Sequence, residues 1–179
     1  RQNPDLMASG EGGSNTTLVR VPGKLGGIAE RRELEIHAGE PERRAMAFTR
    51  TASGVCIANL HATNDRPKSA REDVLRGARA AVEWAADAPL IFGGDLNLRP
   101  AEDPELFARL AGEFGLDSPT TGPRAIDHVL VRGLEVVARP VQWAPERREL
   151  PLDGKALRLS DHAPVEARFA REDPPVLAN

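Results

Sequence analysis

Polar side chains that could do chemistry stand where four apolar stretches of this chain end. They are Asn59 and His61 in IANLHA, Asp95 and Asn97 in GGDLN, Asp127 in AIDHV, and Asp161 with His162 in LSDHAP. Side chains two positions apart on a strand point to the same face, so each of the first two pairs can face one cleft. Carboxylates bind hard divalent cations and imidazole exchanges protons near neutral pH, so the set favours hydrolytic chemistry.

Each of these groups, taken alone, has an ordinary structural explanation. An Asp after Gly-Gly is most often a turn or cap residue, and a histidine in an apolar strand is usually a hydrogen-bonded core residue. The repetition of such groups favours a functional explanation, because helix caps alone do not explain so many carboxylates and imidazoles at the strand ends of one small domain. Asp161 and His162 are adjacent, so both reach one site only if the chain bends, which Ser160 and Pro164 favour.

The hydrophobic pattern predicts the elements that must position these groups. Residues 69–85 have a helical period, and Ser69 with Glu72 forms a capping box that predicts the helix start. A second helix is predicted to begin at Asp103-Pro104 and to end at Gly115. Ser53-Gly54 predicts a hairpin turn. Strand patterns cover residues 15–21, 33–39, 46–51, 55–62, 89–97, 126–133, 135–143 and 157–169.

This order contains too many adjacent strands for a doubly wound sheet, so it predicts mixed sheets with outer helices, an α/β (α+β) fold. The chain of 179 residues, 40% hydrophobic and 28% charged, is typical of one globular domain. We expect a loop or arm over residues 1–14, the domain over residues 15–169 and a flexible tail over residues 170–179.

Composition limits the partners. The net charge is −3 and only three of the 24 basic residues are lysines, without a strongly basic half, which argues against a DNA-coating protein but leaves a nuclease open. Aromatic residues make up 4% of the chain and tyrosine is absent, so a base-stacking platform is not expected. The lack of a long apolar run and the lone Cys56 predict a cytoplasmic protein without a membrane span. The arginine-rich composition indicates a GC-rich bacterial genome.

Four motifs, in this order, carry a resemblance to a known family. IANLHATN, PLIFGGDLNLRP, AIDHVLV and LSDHAPVEARF resemble the later motifs of the endonuclease/exonuclease/phosphatase superfamily, the DNase I-like fold, over roughly residues 15–169. The resemblance implies a four-layer sandwich of two mixed β-sheets with helices outside. It also implies a phosphoesterase that uses Mg²⁺, with Mn²⁺ as an alternative, on a phosphodiester or phosphomonoester such as nucleic acid or a phospholipid headgroup.

The same resemblance implies a role for each catalytic residue. His61 contacts the scissile phosphate or protonates the leaving group. Asp95 and Asn97 orient the attacking water, and Asn97 also holds phosphate or metal. Asp127 supports the catalytic histidine, which is His162.

The implied metal ligands are Asp161 and Asn97, and here the chain departs from the family pattern. The first two family motifs, an Asn on the first strand and a metal-binding Glu after the second, have no counterpart. Glu11 is the nearest upstream acid, but it lies in the loop sequence SGEGG. We therefore expect either that the N-terminal strands are missing or that the domain is a degraded relative. With Asp161 as the one carboxylate ligand, this chain should bind metal weakly.

Three alternatives compete with the phosphoesterase interpretation. A non-catalytic interaction domain on the same fold would keep the strands and lose acids. A serine hydrolase is disfavoured because no G-x-S-x-G motif occurs. A zinc hydrolase that uses His61, His128 and His162 lacks the H-x-x-x-H spacing of such sites.

Overall fold

A computed structural model of the chain describes residues 15–38, 43–64, 67–117 and 121–171. Its centre is a five-stranded mixed sheet in which the strands stand in chain order. β3 and β4 pair in parallel, and the other neighbours are antiparallel. The strands are β1 (Ile28–His37), β2 (Arg44–Thr51), β3 (Cys56–Leu60), β4 (Leu90–Asp95) and β5 (Asp127–Arg132). The β2–β3 turn confirms the predicted hairpin.

Two helices cover one face of this sheet. α1 (Pro67–Ala85) contacts β1, β3, β4 and α2, and α2 is Pro104–Phe114. Most of the predicted apolar face of α1 is buried, and Gly77 lets the helix approach Leu60 and Met46, since a Cβ there would lie 3.1 Å from both side chains. This face packs into a single core with the sheet.

The helix ends test the predicted caps. Asp103 accepts a hydrogen bond from the Leu106 amide at the start of α2, and Gly115 ends it with φ 63° in the left-handed region, as expected. The capping box predicted at Ser69 is wrong, because α1 already begins at Pro67 and Ser69 lies inside its first turn. Proline suits the first turn of a helix, where its missing N–H has no partner to lose.

The C-terminal strands form two smaller units. β6 (Leu134–Gln142) pairs antiparallel with β9 (Val165–Arg171), and β7 (Glu149–Leu152) forms a hairpin with β8 (Lys155–Arg158). The second sheet therefore has two strands in the described chain, and both contact β5. The mixed five-stranded sheet with helices outside it confirms the predicted α+β fold class.

Two strand predictions are wrong. The strand predicted over residues 157–169 is interrupted, because residues 159–164 leave the β8 ladder and bend before β9 begins. Residues 15–21 form no strand; this segment is attached through side chains, with Asn15 donating to the Ala45 carbonyl and Asn59 donating to the Thr16 carbonyl. The predicted arm and most of the predicted tail lie outside the described residues. Within the described ranges no helix is long and apolar enough to cross a membrane.

Candidate active site

The strand directions bring three candidate residues to one edge of the large sheet. β3 and β4 are parallel, so His61 after β3 and Asp95 at the end of β4 lie at the same edge. β5 runs the opposite way, so its first residue, Asp127, lies there too and is the register partner of Asp95. The topology therefore assembles residues that are 66 positions apart in the sequence, from position 61 to position 127.

The two glycines before Asp95 permit close contact between β4 and both neighbours. A Cβ on Gly93 would lie 2.1 Å from the His128 carbonyl oxygen, and one on Gly94 would lie 2.1 Å from the Leu60 carbonyl oxygen. Gly94 also has φ +124°, a conformation that side chains disfavour. The Gly-Gly pair is thus required by the backbone that delivers Asp95.

Asp95 lies between two imidazoles. Its Oδ2 is 3.5 Å from His61 Nε2 and 3.8 Å from His162 Nε2, and its side chain is only 15% exposed. Burial is the main cause that raises the pKa of Asp95, while the hydrogen bond from the Asn97 amide and the nearby imidazoles act in the opposite direction. The site thus concentrates a desolvated carboxylate and two proton-exchanging rings around one point.

His162 reaches this point through the bend that its sequence favoured. Its backbone N–H lies 3.2 Å from Ser160 Oγ and 3.1 Å from Asp161 Oδ1, which close the turn. Its Nδ1 is 2.9 Å from Asp127 Oδ2, and this hydrogen bond is the main cause that raises the pKa of His162. Because a carboxylate only accepts, Nδ1 is the protonated nitrogen and Nε2 faces Asp95.

Asn97 links the loops after β3 and β4. Its backbone N–H donates to Asp95 Oδ1 at 3.0 Å, and its side-chain Nδ2 donates to the Ala62 carbonyl at 2.8 Å. Its φ of 52° is left-handed, which Asn tolerates better than most residues. The amide group of Asn97 therefore stands at the site with its nitrogen engaged and its conformation fixed.

Asp161, the carboxylate predicted to bind metal, is placed differently from the rest. It is exposed, and its carboxylate accepts the His162 amide described above. The described residues whose ligand atoms all lie within 4.8 Å of one another are Asp95, Asp127 and His162. Two carboxylates and an imidazole fit a divalent cation that accepts oxygen ligands, so the structure contains a possible metal site of this type.

The structure argues against the zinc hydrolase that would use three histidines. A zinc site of three histidines would need His128, but this residue is 2% exposed, its Nε2 is bonded to the Leu98 carbonyl at 2.9 Å, and its ring packs on Phe107. Burial lowers the pKa of His128. His128 is therefore a core histidine, and it belongs to the helix-covered side of β5.

One supporting residue was not predicted from the sequence. Asp73 on α1 accepts a hydrogen bond from the Thr63 amide at 2.9 Å, which holds the loop that contains His61. A signal for Asp73 was present, because it is a charged residue on the apolar helix face that also holds Ala70 and Gly77. A cavity of about 280 Å³ beside Asp127 and His162 opens to solvent at this edge.

Comparisons with known proteins agree with this architecture. The sequence model of the Endonuclease/Exonuclease/phosphatase family matches residues 9–162. No curated protein is a significant match to the chain.

Solved structures are similar in fold at low sequence identity. A Bacteroides thetaiotaomicron protein of this family has a TM-score of 0.65 at 15% identity, over 79% of this chain and 63% of its own. A mannosyl-6-phosphatase from the same species has a TM-score of 0.64 at 15% identity, over 80% and 66%. Truncated Caenorhabditis elegans TDP2 has a TM-score of 0.59 at 16% identity, over 82% and 67%. The chain thus spans about two thirds of the length of these structures.

Proposed function

Because the chain belongs to the endonuclease/exonuclease/phosphatase family, we propose that it is a phosphoesterase whose active site is the cluster at the sheet edge. One observation supports this most: Asp95 Oδ2 lies within 3.8 Å of the Nε2 atoms of His61 and His162. The structures that are similar to this chain include a protein named as a mannosyl-6-phosphatase, and such an enzyme is a phosphomonoesterase.

The reaction we propose is attack of water on the phosphorus of the ester. His162 Nε2 accepts the proton of the attacking water, because Nδ1 already holds its proton against Asp127. The new P–O bond forms as the bond to the alcohol oxygen breaks. His61 then donates a proton to that leaving oxygen, which avoids release of an alkoxide.

Asp95 and Asn97 complete the site. Asp95 stands between the two rings, where it orients the water and stabilises the imidazolium that forms on His162. The carboxylates of Asp95 and Asp127 would hold a divalent cation, for which we propose Mg²⁺ or Mn²⁺, while His162 keeps Nε2 for the proton. Asp161 and Asn97, predicted from the sequence as ligands, stay part of this proposal. Such a cation supplies charge neutralisation at the non-bridging phosphate oxygens.

The test is turnover of bis(p-nitrophenyl) phosphate and p-nitrophenyl phosphate, measured with Mg²⁺, with Mn²⁺ and with EDTA. We expect metal-dependent turnover, and His162→Ala should lower kcat by about 10²–10⁴-fold because it removes a positioned proton acceptor. His37→Ala is the matched control, since His37 lies on β1, two strands away from β3. A folded chain that is inert towards both esters with either metal would favour the non-catalytic interaction domain.

A further inference from the structure

A second cavity, of about 460 Å³, adjoins the site on the side of Asn97. Its walls are continuous with the site: Thr63 is in the loop after β3, Leu98 follows Asn97, and Ile126 precedes β5. A group bonded to a phosphate at Asp95 would therefore extend into this space. The volume lies in the range of small-molecule sites, roughly 300–1,000 Å³.

The charged side chains of the described residues on the cavity wall are paired. Arg99 lies 3.4 Å from Glu102, and Asp103 is paired with Arg71 while it also caps α2. A wall of paired charges does not present the cluster of free cations that a second phosphate requires. The described residues that line the cavity include no aromatic side chain, so they offer no platform on which a base would stack.

The polar side chains on the cavity wall can form hydrogen bonds with hydroxyl groups of a ligand. Asn64, Arg99 and Glu102 present an amide, a donor and an acceptor to the cavity. A hydroxyl both donates and accepts, so it can bond to each of these groups, whereas an acyl chain would bond to none of them.

We propose that this cavity binds the hydroxyl-bearing leaving group of a phosphomonoester, so that the substrate class is a sugar phosphate. This inference rests on the proposed phosphoesterase function and specifies its substrate. Arg99 and Glu102 then act as specificity residues through hydrogen bonds to the sugar, whereas the chemistry stays with the residues at the sheet edge.

The first experiment measures binding without turnover. Calorimetry in EDTA compares mannose 6-phosphate with cyclohexylmethyl phosphate, which has a six-membered carbocycle in place of the pyranose, the same CH₂–O–phosphate linkage and no hydroxyls. We expect the sugar phosphate to bind at least about tenfold more tightly, because a site built to bond hydroxyls rejects the analogue that lacks them. Equal affinities would overturn the inference.

A matched pair of variants locates the preference. Arg99→Met should abolish most of the difference between the two ligands, while Arg109→Met should keep it, since Arg109 forms a similar surface pair with Glu113 on α2. Equal effects of both variants would indicate a general charge effect and overturn the assignment of Arg99.

Turnover with Mg²⁺ separates the two proposals. Hydrolysis of both esters with equal kcat/KM would leave the phosphoesterase standing and overturn the sugar-phosphate inference. Preferred binding of mannose 6-phosphate, with no hydrolysis of any phosphate ester, would overturn the proposed function and leave the ligand class of the cavity standing.

Discussion

His61 and His162 flank the same carboxylate, but they come from regions that differ in packing. His61 follows β3, whose residues Cys56, Ala58 and Leu60 are fully buried between sheet neighbours and helices. His162 lies between β8 and β9, and every residue of β8 is exposed. The large sheet therefore fixes His61 through its core. The ring of His162 is held by its own hydrogen bond to Asp127, while hydrogen bonds from Arg148 and Trp143 hold the backbone of its bend.

This difference shows where the site depends on single contacts. Regions with few buried apolar contacts open locally at low cost in free energy, while core strands open only with global unfolding. Two of the three large-sheet residues in the site belong to β4 and β5, which pack around Phe92 and Leu130. The C-terminal region contributes the imidazole of His162. The hydrogen bond between this ring and Asp127 therefore affects the fraction of molecules in which the site is fully assembled.

Removal of the hydrogen bond between His162 and Asp127 should cause the largest loss of activity. Asp127→Asn should lower kcat by about 10²–10⁴-fold, because an amide does not fix the reactive tautomer of the imidazole. The acid limb of kcat/KM should also move to lower pH. In the unmodified protein the hydrogen bond to Asp127 raises the pKa of His162, so the ring becomes neutral only at higher pH. Loss of this hydrogen bond in Asp127→Asn returns the pKa of His162 towards its ordinary value.

The pH profile and an imidazole titration followed by NMR measure both effects. Asp117→Asn is the control, because Asp117 is exposed and its contact with Val131 is made through the backbone. An unchanged acid limb in Asp127→Asn would show that the two regions are coupled by other contacts.

The sequence predicted the large-sheet region better than the C-terminal region, for physical reasons. The caps at Asp103 and Gly115 depend on local backbone chemistry, and the β2–β3 hairpin depends on a turn and two apolar runs, so neighbouring residues are sufficient. Of the residues in the four strand-end motifs, those that meet at one edge are His61, Asp95, Asp127 and His162, whereas Asp161 is exposed on the bend.

Other features depend on contacts between distant parts of the chain. The pairing of His162 with Asp127, 35 positions away, was implied only by the family resemblance, and the alternating pattern predicted one continuous strand. Residues 15–21 have strand-like composition but bond through Asn15 and Asn59. The support that Asp73 gives to Thr63 likewise requires the packing of α1.

The anchoring of His61 by the core gives a second, smaller effect. Asp73→Leu leaves the buried Thr63 N–H without its acceptor, and the loop that contains His61 and the Ala62 carbonyl bonded to Asn97 loses its support. We expect kcat to fall about tenfold with little change in KM, since displacement of a positioned group weakens the transition state.

The conservative variant separates this role from simple loss of stability. Asp73→Asn retains an oxygen acceptor and should restore most of kcat. Equal losses in both variants would mean that the charge of Asp73 matters and not its hydrogen bond. Unchanged kcat in Asp73→Leu would show that strand packing alone holds His61.

The smallest effect concerns stability and contrasts a buried acid with an exposed one. Burial raises the pKa of Asp95 above its unfolded value, so its contribution to stability is full below the unfolded pKa and is lost as pH rises through the folded pKa. At neutral pH the ionised carboxylate therefore destabilises the fold. Asp95→Asn keeps an acceptor for the Asn97 amide and removes this cost, so in EDTA its Tm should rise by about 2–4 °C, or about 1 kcal/mol. The gain should shrink as pH falls. Asp161→Asn, on the exposed bend, should leave Tm unchanged, and an equal rise in both variants would show that the two regions do not differ in desolvation.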